Sequence, residues 1–359
     1  MSAAEARIGA VLAALDRLRA PPVAPLSDGL SEAGAAAGLA SALDAITAEG
    51  LAEALGDAPQ LPASMALIAA GGVFVSPIEW AALAAAGGVA LQIKAPSASP
   101  ALCEALVAAL AAEGLPATLL SGREIPEDTP VILAFGSDET LLALARAHPR
   151  QRLVGYGHAF SAALWAPVDP DPEARRAAMR DLAVDISRFD SRGCMAPTAL
   201  FTTDDPLRVE EALLDALAET ERAWPRGALA PALGPLLRER AGLARIRGRA
   251  VERGAYGALT LPVEYFRPIA APRVAVIHPV PDLEAVGRAL EGWPGHRSTL
   301  GTNLGVGDLP AFTQPFSRVC PLGLMQAPPF PRQHDGRPML GAIAAADDGP
   351  ALRARLEPA

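Results

Sequence analysis

The fold of this chain is decided by residues 65–94, MALIAAGGVFVSPIEWAALAAAGGVALQIK. The start of this stretch is typical of a strand, Pro77–Ala86 is typical of a helix, and residues 89–93 are typical of a second strand. Apart from Glu79 the run from 61 to 93 carries no charge, which would also suit a membrane span. Glycine pairs and prolines divide the run into short pieces, so the sequence predicts a buried strand–helix–strand unit instead.

The same alternation continues on both sides of this unit. Further strands are predicted at 117–120, 131–135, 152–156, 161–166, 198–202 and 274–278, and helices at 3–19, 30–56, 100–113, 138–147, 172–188, 206–222 and 283–290. Strands and helices that alternate in this way indicate an α/β fold of the doubly wound class, with a parallel sheet covered on both faces. Residues 224–254 are predicted to be looser and solvent-facing, and residues 315–340 to be an ordered loop.

The composition excludes several classes of protein. The 359 residues carry a formal net charge of -9, which argues against a nucleic acid as the partner, because phosphate binding needs a basic face. The three cysteines are widely spaced and suit neither a disulfide framework nor a zinc site, so no metal is expected. The first residues lack the layout of a secretory signal, and we therefore expect a cytoplasmic protein without a membrane span.

Lys94 is the first candidate for a functional residue. It is the only lysine among the 31 basic residues of the chain. A lysine kept where arginine is used everywhere else suggests a site that needs a compact ammonium group with rotatable donors. Lys94 follows a predicted parallel strand, and α/β folds bind ligands at the carboxyl ends of such strands. The alternative is an ordinary surface lysine.

A second candidate is the turn Phe135-Gly136-Ser137-Asp138, where a predicted strand passes into a helix. The amides at the start of that helix could bind a phosphate group. However, Ser137 or Asp138 could equally cap an ordinary helix, and acidic residues already favour the positive end of the helix. The chain contains neither the common glycine-rich dinucleotide motif nor a P-loop.

The third candidate is Cys194, within DSRGCMAPTALF (190–201). Gly193 would allow a substrate to approach the backbone closely, and Arg192 would favour the thiolate. Backbone amides beside the cysteine could stabilise an oxyanion on a carbonyl that the thiolate attacks. From local chemistry alone we favour an inert buried cysteine, which is what most free cysteines are, and we keep that interpretation for Cys103 and Cys320.

The order of these segments resembles the aldehyde dehydrogenase superfamily, and in particular its long-chain acyl-CoA (fatty acyl) reductase branch, typified by the acyl reductase subunit of bacterial luminescence. The segments that carry the resemblance are AAGGVFVSPIEW (69–80), IKAPSASP (93–100), AFGSDET (134–140), GYGHAFSAAL (155–164), DSRGCMAPTALF (190–201) and SRVCPLGLMQAPPFPRQHDG (317–336). The resemblance covers about 65–205 well, 260–340 loosely and the first 60 residues hardly at all.

The resemblance implies a reaction. Cys194 would attack an acyl thioester, expel coenzyme A and hold the acyl group, which hydride from NADPH (or NADH) would then reduce to an aldehyde. Lys94 matches the lysine of the family that contacts the adenosine ribose or its phosphate. Gly136 and Ser137 match the segment beside the cofactor pyrophosphate.

The sequence departs from the family in two places. Aldehyde-oxidising members carry a water-activating glutamate, but the matching stretch, residues 153–158, contains no acid, which favours reduction over oxidation. His158 in that stretch is a candidate for a general acid or a contact to coenzyme A, or it is a structural histidine. The usual substrate-binding asparagine is replaced by Gly72, which leaves backbone groups at Gly72 and Gly193 as candidates for oxyanion binding.

The resemblance also implies a domain organisation and partners. We expect an aldehyde dehydrogenase-like fold with N-terminal helices and a nicotinamide dinucleotide domain at 1–185, a catalytic domain at 186–325, and a C-terminal segment at 326–359 that packs back on the cofactor domain. The expected partners are acyl-CoA or another activated acyl substrate and further copies of the chain in a homo-oligomer. Two alternatives stay open: a pseudoenzyme or acyl-holding subunit without hydride transfer, and a reductase that acts on an acyl phosphate.

Overall fold

The computed structural model describes residues 2–20, 26, 29–56, 60–97, 99–122, 124–168, 171–269, 271–293 and 297–344. These residues form two compact units. The first contains the described parts of Met1–Asp28, Ala35–His158 and Pro329–Ala359, and the second contains Gly29–Gly34 and the described parts of Ala159–Pro328. The predicted boundary between 185 and 186 therefore lies within the second unit, because the strand that begins at Phe160 already pairs with strands of that unit.

The first unit begins with six helices and five strands, except that the first three residues of the second helix belong to the second unit. In chain order these are α1 (Ala3–Arg17), α2 (Glu32–Asp44), α3 (Ala48–Gly56), β1 (Ser64–Ile68), α4 (Ser76–Ala86), β2 (Ala90–Lys94), α5 (Ala101–Ala112), β3 (Ala117–Leu119), β4 (Val131–Phe135), α6 (Asp138–Ala147) and β5 (Arg152–Tyr156). The sheet has the order β3-β2-β1-β4-β5, and every pairing in it is parallel. Strand order reverses at β1, a position where open α/β sheets bind ligands at their carboxyl edge.

Helix α4 explains the uncharged stretch of the sequence. Nine of its residues are buried, including Trp80, and only its first turn carries a charge, at Glu79. A helix that is apolar on all sides is covered on all sides. No helix among the described residues is long and apolar enough to cross a membrane.

The second unit contains a larger sheet. Its elements are β6 (Phe160–Trp165), α7 (Pro172–Ser187), β7 (Pro197–Thr202), α8 (Pro206–Ala223), α9 (Leu233–Arg247), β8 (Arg249–Glu252), β9 (Gly257–Thr260), β10 (Val274–Pro279), α10 (Leu283–Glu291), β11 (Arg297–Thr302) and β12 (Arg318–Cys320). Seven strands pair in the order β12-β11-β6-β7-β10-β9-β8. All pairs are parallel except β8 with β9, which is antiparallel. The α/β class and parallel-sheet arrangement expected from the sequence are confirmed.

The end of the described chain returns to the first unit. It forms β13 (Gln333–His334), β14 (Arg337–Pro338) and α11 (Met339–Ala344). Arg332 donates to both carboxylate oxygens of Glu79 on α4, at 2.8–3.0 Å. The His334 ring lies 4.3 Å from the ring of Tyr156 at the end of β5. These contacts fix the segment on the first sheet.

Several local predictions were wrong. The helix predicted over 30–56 is two helices, and the region 224–254, predicted to be loose, contains α9 and β8. Helix α9 is stabilised by a narrow stripe of small residues, Ala241 and Ala244, that packs on Leu259 and Val276 of the sheet. The density of arginines conceals that stripe in the sequence. The stretch 315–340, predicted to be loop, contains three short strands and the start of α11.

Candidate active site

The segment that leads to Cys194 has an unusual backbone. Directly after α7, Phe189, Asp190 and Ser191 have φ angles of 54°, 50° and 56°, in the left-handed region. That region costs an L-residue roughly 1–2 kcal/mol. Three consecutive residues adopt it only when their surroundings hold them there, and such strain is common at functional sites.

A buried charge cluster holds this segment. Asp190 is 2% exposed. Its carboxylate accepts hydrogen bonds from Arg273 Nε at 2.7 Å and from the Gly227 amide at 3.0 Å. Arg273 is also 2% exposed and donates to Glu221 Oε2 at 3.3 Å. Ser191 adds a bond from its hydroxyl to the Ile186 carbonyl at 2.8 Å. The left-handed turn is therefore tied to the unit by its side chains.

Cys194 itself lies in the turn between this segment and β7, and its side chain is exposed. The Gly193 carbonyl accepts from the Ala196 amide at 3.0 Å, which closes the turn around the cysteine. The Cys194 carbonyl accepts from Ser161 Oγ on β6 at 2.6 Å. The backbone of Cys194 is thus held by hydrogen bonds in a residue that is exposed.

The other two cysteines differ from Cys194. Cys103 on α5 and Cys320 on β12 are both buried. Burial raises the pKa of each thiol to about 11. Since the thiolate is the nucleophile, both are inert at neutral pH. Of the three cysteines, Cys194 is the one whose position allows it to meet a substrate.

Arg192 was expected to favour the Cys194 thiolate. In the structure its Nη2 donates to the carbonyls of Gly29 and Ala228, at 3.2 Å each. The Gly29 carbonyl also accepts from the Ala228 amide at 2.7 Å. These bonds explain why residues 29–34 belong to the second unit, and they give Arg192 a structural task.

In the first unit, the remaining candidate residues follow the carboxyl ends of neighbouring strands. Gly72 lies in the exposed loop after β1, and Lys94 is the last residue of β2. Gly136 and Ser137 follow β4, and His158 follows β5. Because β2, β1, β4 and β5 are adjacent and parallel, all these residues lie along one edge of the sheet.

Lys94 is half-buried, and its Nζ donates to the carbonyl of Gly122. Gly122 follows β3, the strand next to β2, and has a φ of 76°. The ammonium group is therefore held at the sheet edge by a neutral acceptor. A lysine ammonium carries three donors, so a group held by one acceptor is chemically able to bind an anion as well.

The turns after β4 and β5 contact each other. Ser137 Oγ caps α6, accepting from the Thr140 amide at 3.2 Å. The Asp138 carboxylate accepts from the His158 amide at 3.3 Å. A Cβ at Gly157 would lie 2.3 Å from Asp138 Oδ1, so this contact requires glycine. The structure thus brings Gly136 and Ser137 next to His158, whose side chain is exposed.

Sequence reasoning did not find Ser161, Asp190 or Arg273 as residues of the site. Ser161 and Asp190 were inside quoted segments, but nothing in those segments indicates their contacts. Arg273 is separated from Asp190 by 83 positions and is one of many arginines. The only available signal is that Asp190 tolerates a left-handed backbone better than most residues do.

A comparison with protein-family models matches residues 116–232 to the family described as LuxC, acyl-CoA reductase. The matched part includes Gly136, Ser137, His158 and Cys194, and it does not include Gly72 or Lys94. The comparison with curated proteins gives no match.

Solved structures of aldehyde dehydrogenases share the fold. The structure of aldehyde dehydrogenase 21 from Physcomitrella patens, in complex with the reaction product succinate, is 15% identical, with a TM-score of 0.73 over 96% of this chain and 85% of that one. A putative methylmalonate-semialdehyde dehydrogenase from Sinorhizobium meliloti, complexed with NAD, is 14% identical, with a TM-score of 0.70 over 93% and 79%. An aldehyde dehydrogenase from Brucella melitensis biovar abortus is 16% identical, with a TM-score of 0.72 over 90% and 78%.

At these identities the structural likeness establishes the fold alone. The family match adds a similarity to acyl-CoA reductases over residues 116–232. The resemblance expected from the sequence is confirmed: this is a protein of aldehyde dehydrogenase fold that is similar, over residues 116–232, to the LuxC acyl-CoA reductases.

Proposed function

We propose that this protein reduces an acyl-CoA thioester to an aldehyde, with NADPH or NADH as the hydride donor and Cys194 as the acyl-carrying nucleophile. One observation carries the proposal. Cys194 is an exposed residue in a segment whose backbone is held by hydrogen bonds to buried side chains, inside the part of the chain that matches the acyl-CoA reductase family. Nucleophiles on rigid, strained turns are typical of covalent catalysis.

In the proposed reaction, the Cys194 thiolate adds to the thioester carbonyl, and the tetrahedral intermediate expels the coenzyme A thiolate. The acyl group is then a thioester of Cys194. When bound, the nicotinamide cofactor supplies the hydride that converts this acyl group to a thiohemiacetal, and release of the aldehyde restores the thiol. Backbone groups at Gly193 and in the Gly72 loop are the candidates for binding the oxyanion.

The carboxyl edge of the first sheet is the proposed place of the cofactor. Lys94 fits a dinucleotide, because it offers a cation held at a strand end by the Gly122 carbonyl. We assign Lys94 to the adenosine ribose or its phosphate. Gly136 leaves the turn after β4 without a side chain, and a Cβ there would lie 3.2 Å from the Thr140 side chain. The close packing keeps this turn narrow beside the cofactor.

His158 is proposed to supply the proton that the oxygen of the acyl group takes up when hydride converts it to the thiohemiacetal. Its side chain is exposed, and its amide is fixed on Asp138. The stretch that contains it has no carboxylate, so it lacks the water-activating glutamate of aldehyde-oxidising proteins. Without a carboxylate that activates water, hydrolysis of the acyl-enzyme should be slow, so the acyl group persists long enough to be reduced by hydride.

The test is a turnover assay with acyl-CoA substrates of different chain length. Loss of NADPH and formation of a trapped aldehyde should proceed together in the wild-type protein. Cys194→Ala should lower the rate by on the order of 10³-fold or more, whereas Cys320→Ala, a change at a buried cysteine, should retain it. Equal rates in the wild type and Cys194→Ala would contradict the proposal.

A second candidate function is an acyl-holding subunit that performs no hydride transfer. The start of α6 favours it, because Ser137 already caps the helix, and Asp138 and Glu139 place two carboxylates where a pyrophosphate would lie. Negative charges repel a phosphate there. Titration of the protein with NADPH, followed by tryptophan fluorescence, separates the two candidates. Binding weakened by Lys94→Met supports the reductase, and the absence of binding supports the acyl-holding subunit.

A further inference from the structure

Ser161 occupies an irregular position in the large sheet. Where β6 pairs with β11, the register shifts between the pair Phe160–Arg297 and the pair Ala162–Leu300. On its other side, where β6 pairs with β7, the register shifts between Ser161 and Ala163. Each of the two neighbouring strands, β11 and β7, therefore carries one extra residue beside this part of β6. Interruptions of this kind are over-represented beside active sites, where they redirect a side chain or end a pairing.

The Ser161 hydroxyl connects the two sides of this interruption. It accepts a hydrogen bond from the Thr299 amide of β11 at 2.9 Å and donates one to the Cys194 carbonyl at 2.6 Å. The Ser161 carbonyl accepts from Thr198 Oγ1 of β7 at 2.9 Å. Ser161 is completely buried, so water does not compete for these bonds. The Ser161 hydroxyl thus bonds to two backbone groups that would pair with backbone in a regular sheet, and it links β11 to Cys194.

We infer that Ser161 is a positioning residue for the Cys194 nucleophile; this inference rests on the proposed function. Because the peptide unit is planar, fixing the Cys194 carbonyl also fixes the amide of Met195 and limits rotation about the backbone of Cys194. The Asp190–Arg273 pair holds the other end of the same segment. The direction of the Cys194 side chain is thereby set from both ends, without a contact between Ser161 and the substrate.

The inference predicts a specific pattern of rates. Acyl transfer requires the thiolate to approach a bound carbonyl in one direction, and displacement of a reacting group by about 1 Å can cost roughly 10²-fold. Alkylation by iodoacetamide, a small reagent in free solution, depends on exposure and on the thiolate fraction rather than on direction. Loss of the Ser161 hydroxyl should therefore slow acylation far more than alkylation.

The experiment compares the wild type, Ser161→Ala and a matched control, Thr313→Val. Thr313 is also buried, and its hydroxyl donates to the Pro310 carbonyl at 2.8 Å, far along the chain from the nucleophile segment. Single-turnover acylation of Cys194 by acyl-CoA is measured by intact mass, and alkylation by iodoacetamide is measured across pH. Both variants are studied where urea titration shows them to be folded.

In Ser161→Ala we expect acylation to fall about 10- to 100-fold at saturating acyl-CoA, with the alkylation rate and its pH midpoint close to those of the wild type. Thr313→Val should acylate at the wild-type rate, and Ser161→Thr, which keeps the hydroxyl, should recover part of the loss. The inference is overturned if Ser161→Ala acylates Cys194 at the wild-type rate. It is equally overturned if acylation and alkylation fall in proportion, or if Thr313→Val shows the same loss.

Failure of the proposed function gives a different result. Acylation that persists in Cys194→Ala would refute the role of Cys194 and, with it, the role of Ser161. Acylation that occurs on Cys194 in both the wild type and Ser161→Ala, at equal rates, would refute the positioning role alone.

Discussion

Replacement of Arg273 by methionine tests how the nucleophile segment is held. Arg273 and Asp190 are both 2% exposed, and their charged groups lie 2.7 Å apart. Methionine keeps much of the length of arginine but carries no charge. The Asp190 carboxylate then stays buried and loses the hydrogen bond from Arg273, while the one from the Gly227 amide remains. Breaking a buried ion pair on one side costs about 3–5 kcal/mol of unfolding free energy, and we expect a loss in this range.

A double variant separates the unpaired charge from the loss of packing. Asp190→Asn removes the charge, keeps an oxygen for the Gly227 amide, and suits the left-handed backbone at this position, where φ is 50°. In Asp190→Asn/Arg273→Met no fully buried charge is left without its partner. Glu221 also loses Arg273, but its side chain is 21% exposed and still accepts a hydrogen bond from the Arg226 amide. We therefore expect this variant to be more stable than Arg273→Met, by roughly 1–3 kcal/mol.

The assay is urea denaturation near neutral pH, followed by tryptophan fluorescence in the wild type, both single variants and the double variant. The denaturant slopes should be similar, so that midpoints report stability directly. A loss below about 1 kcal/mol in Arg273→Met would refute the reasoning, since it would place the pair among weak surface ion pairs. A double variant less stable than Arg273→Met would refute it as well.

Three further predictions concern other parts of the chain. Gly157→Ala places a Cβ 2.3 Å from the position of the Asp138 carboxylate oxygen at the start of α6. This variant should bind NADPH several-fold more weakly in a fluorescence titration. Gly242→Ala, in open space on α9, is the control and should bind NADPH as the wild type does. Arg175→Met leaves the buried Asp204 carboxylate, 2.6 Å from Arg175 Nε in the structure, without its cation and should cost about 3–5 kcal/mol in urea denaturation; a loss confined to a few tenths would show that the pair contributes little. Burial lowers the pKa of His278 from 6.5 to about 4, so between these values the unfolded chain binds a proton that the folded protein does not. The wild type should lose about 3 kcal/mol relative to His278→Gln as the pH falls through this window, and parallel pH profiles of the two proteins would contradict the assignment.

The parts of the fold that were predicted correctly are those in which one local pattern dominates. The strand at Val131–Phe135 and the helix at Asp138–Ala147 have the bounds expected from the sequence, because an apolar run ends at a glycine and a capping serine follows it. Strand β11 at Arg297–Thr302 was missed, since its alternation of polar and small residues does not resemble a buried strand. The strand is buried because it lies inside the sheet, between β6 and β12, and its sequence alone does not indicate that position.

The candidate site shows a similar division. The sequence indicated Cys194 through its small neighbours and through the order of the segments around it, and Lys94 through its composition. The groups that hold the Cys194 segment could not be predicted, because they are far from it along the chain. Ser161 lies on β6, and Arg273 directly precedes β10. Ser161 is a hydroxyl residue in a sheet irregularity, and Arg273 is one of the 30 arginines that remain when Lys94 is taken from the 31 basic residues. Their roles can be recognised only in the folded chain.

Intact-mass analysis of the protein after incubation with acyl-CoA tests the central claim most directly. The account predicts a gain of one acyl mass that hydroxylamine removes, that NADPH discharges as aldehyde, and that is absent in Cys194→Ala but present in Cys103→Ala. An adduct that persists in Cys194→Ala, or the absence of any adduct in the wild type with acyl-CoA of every chain length tried, would contradict it.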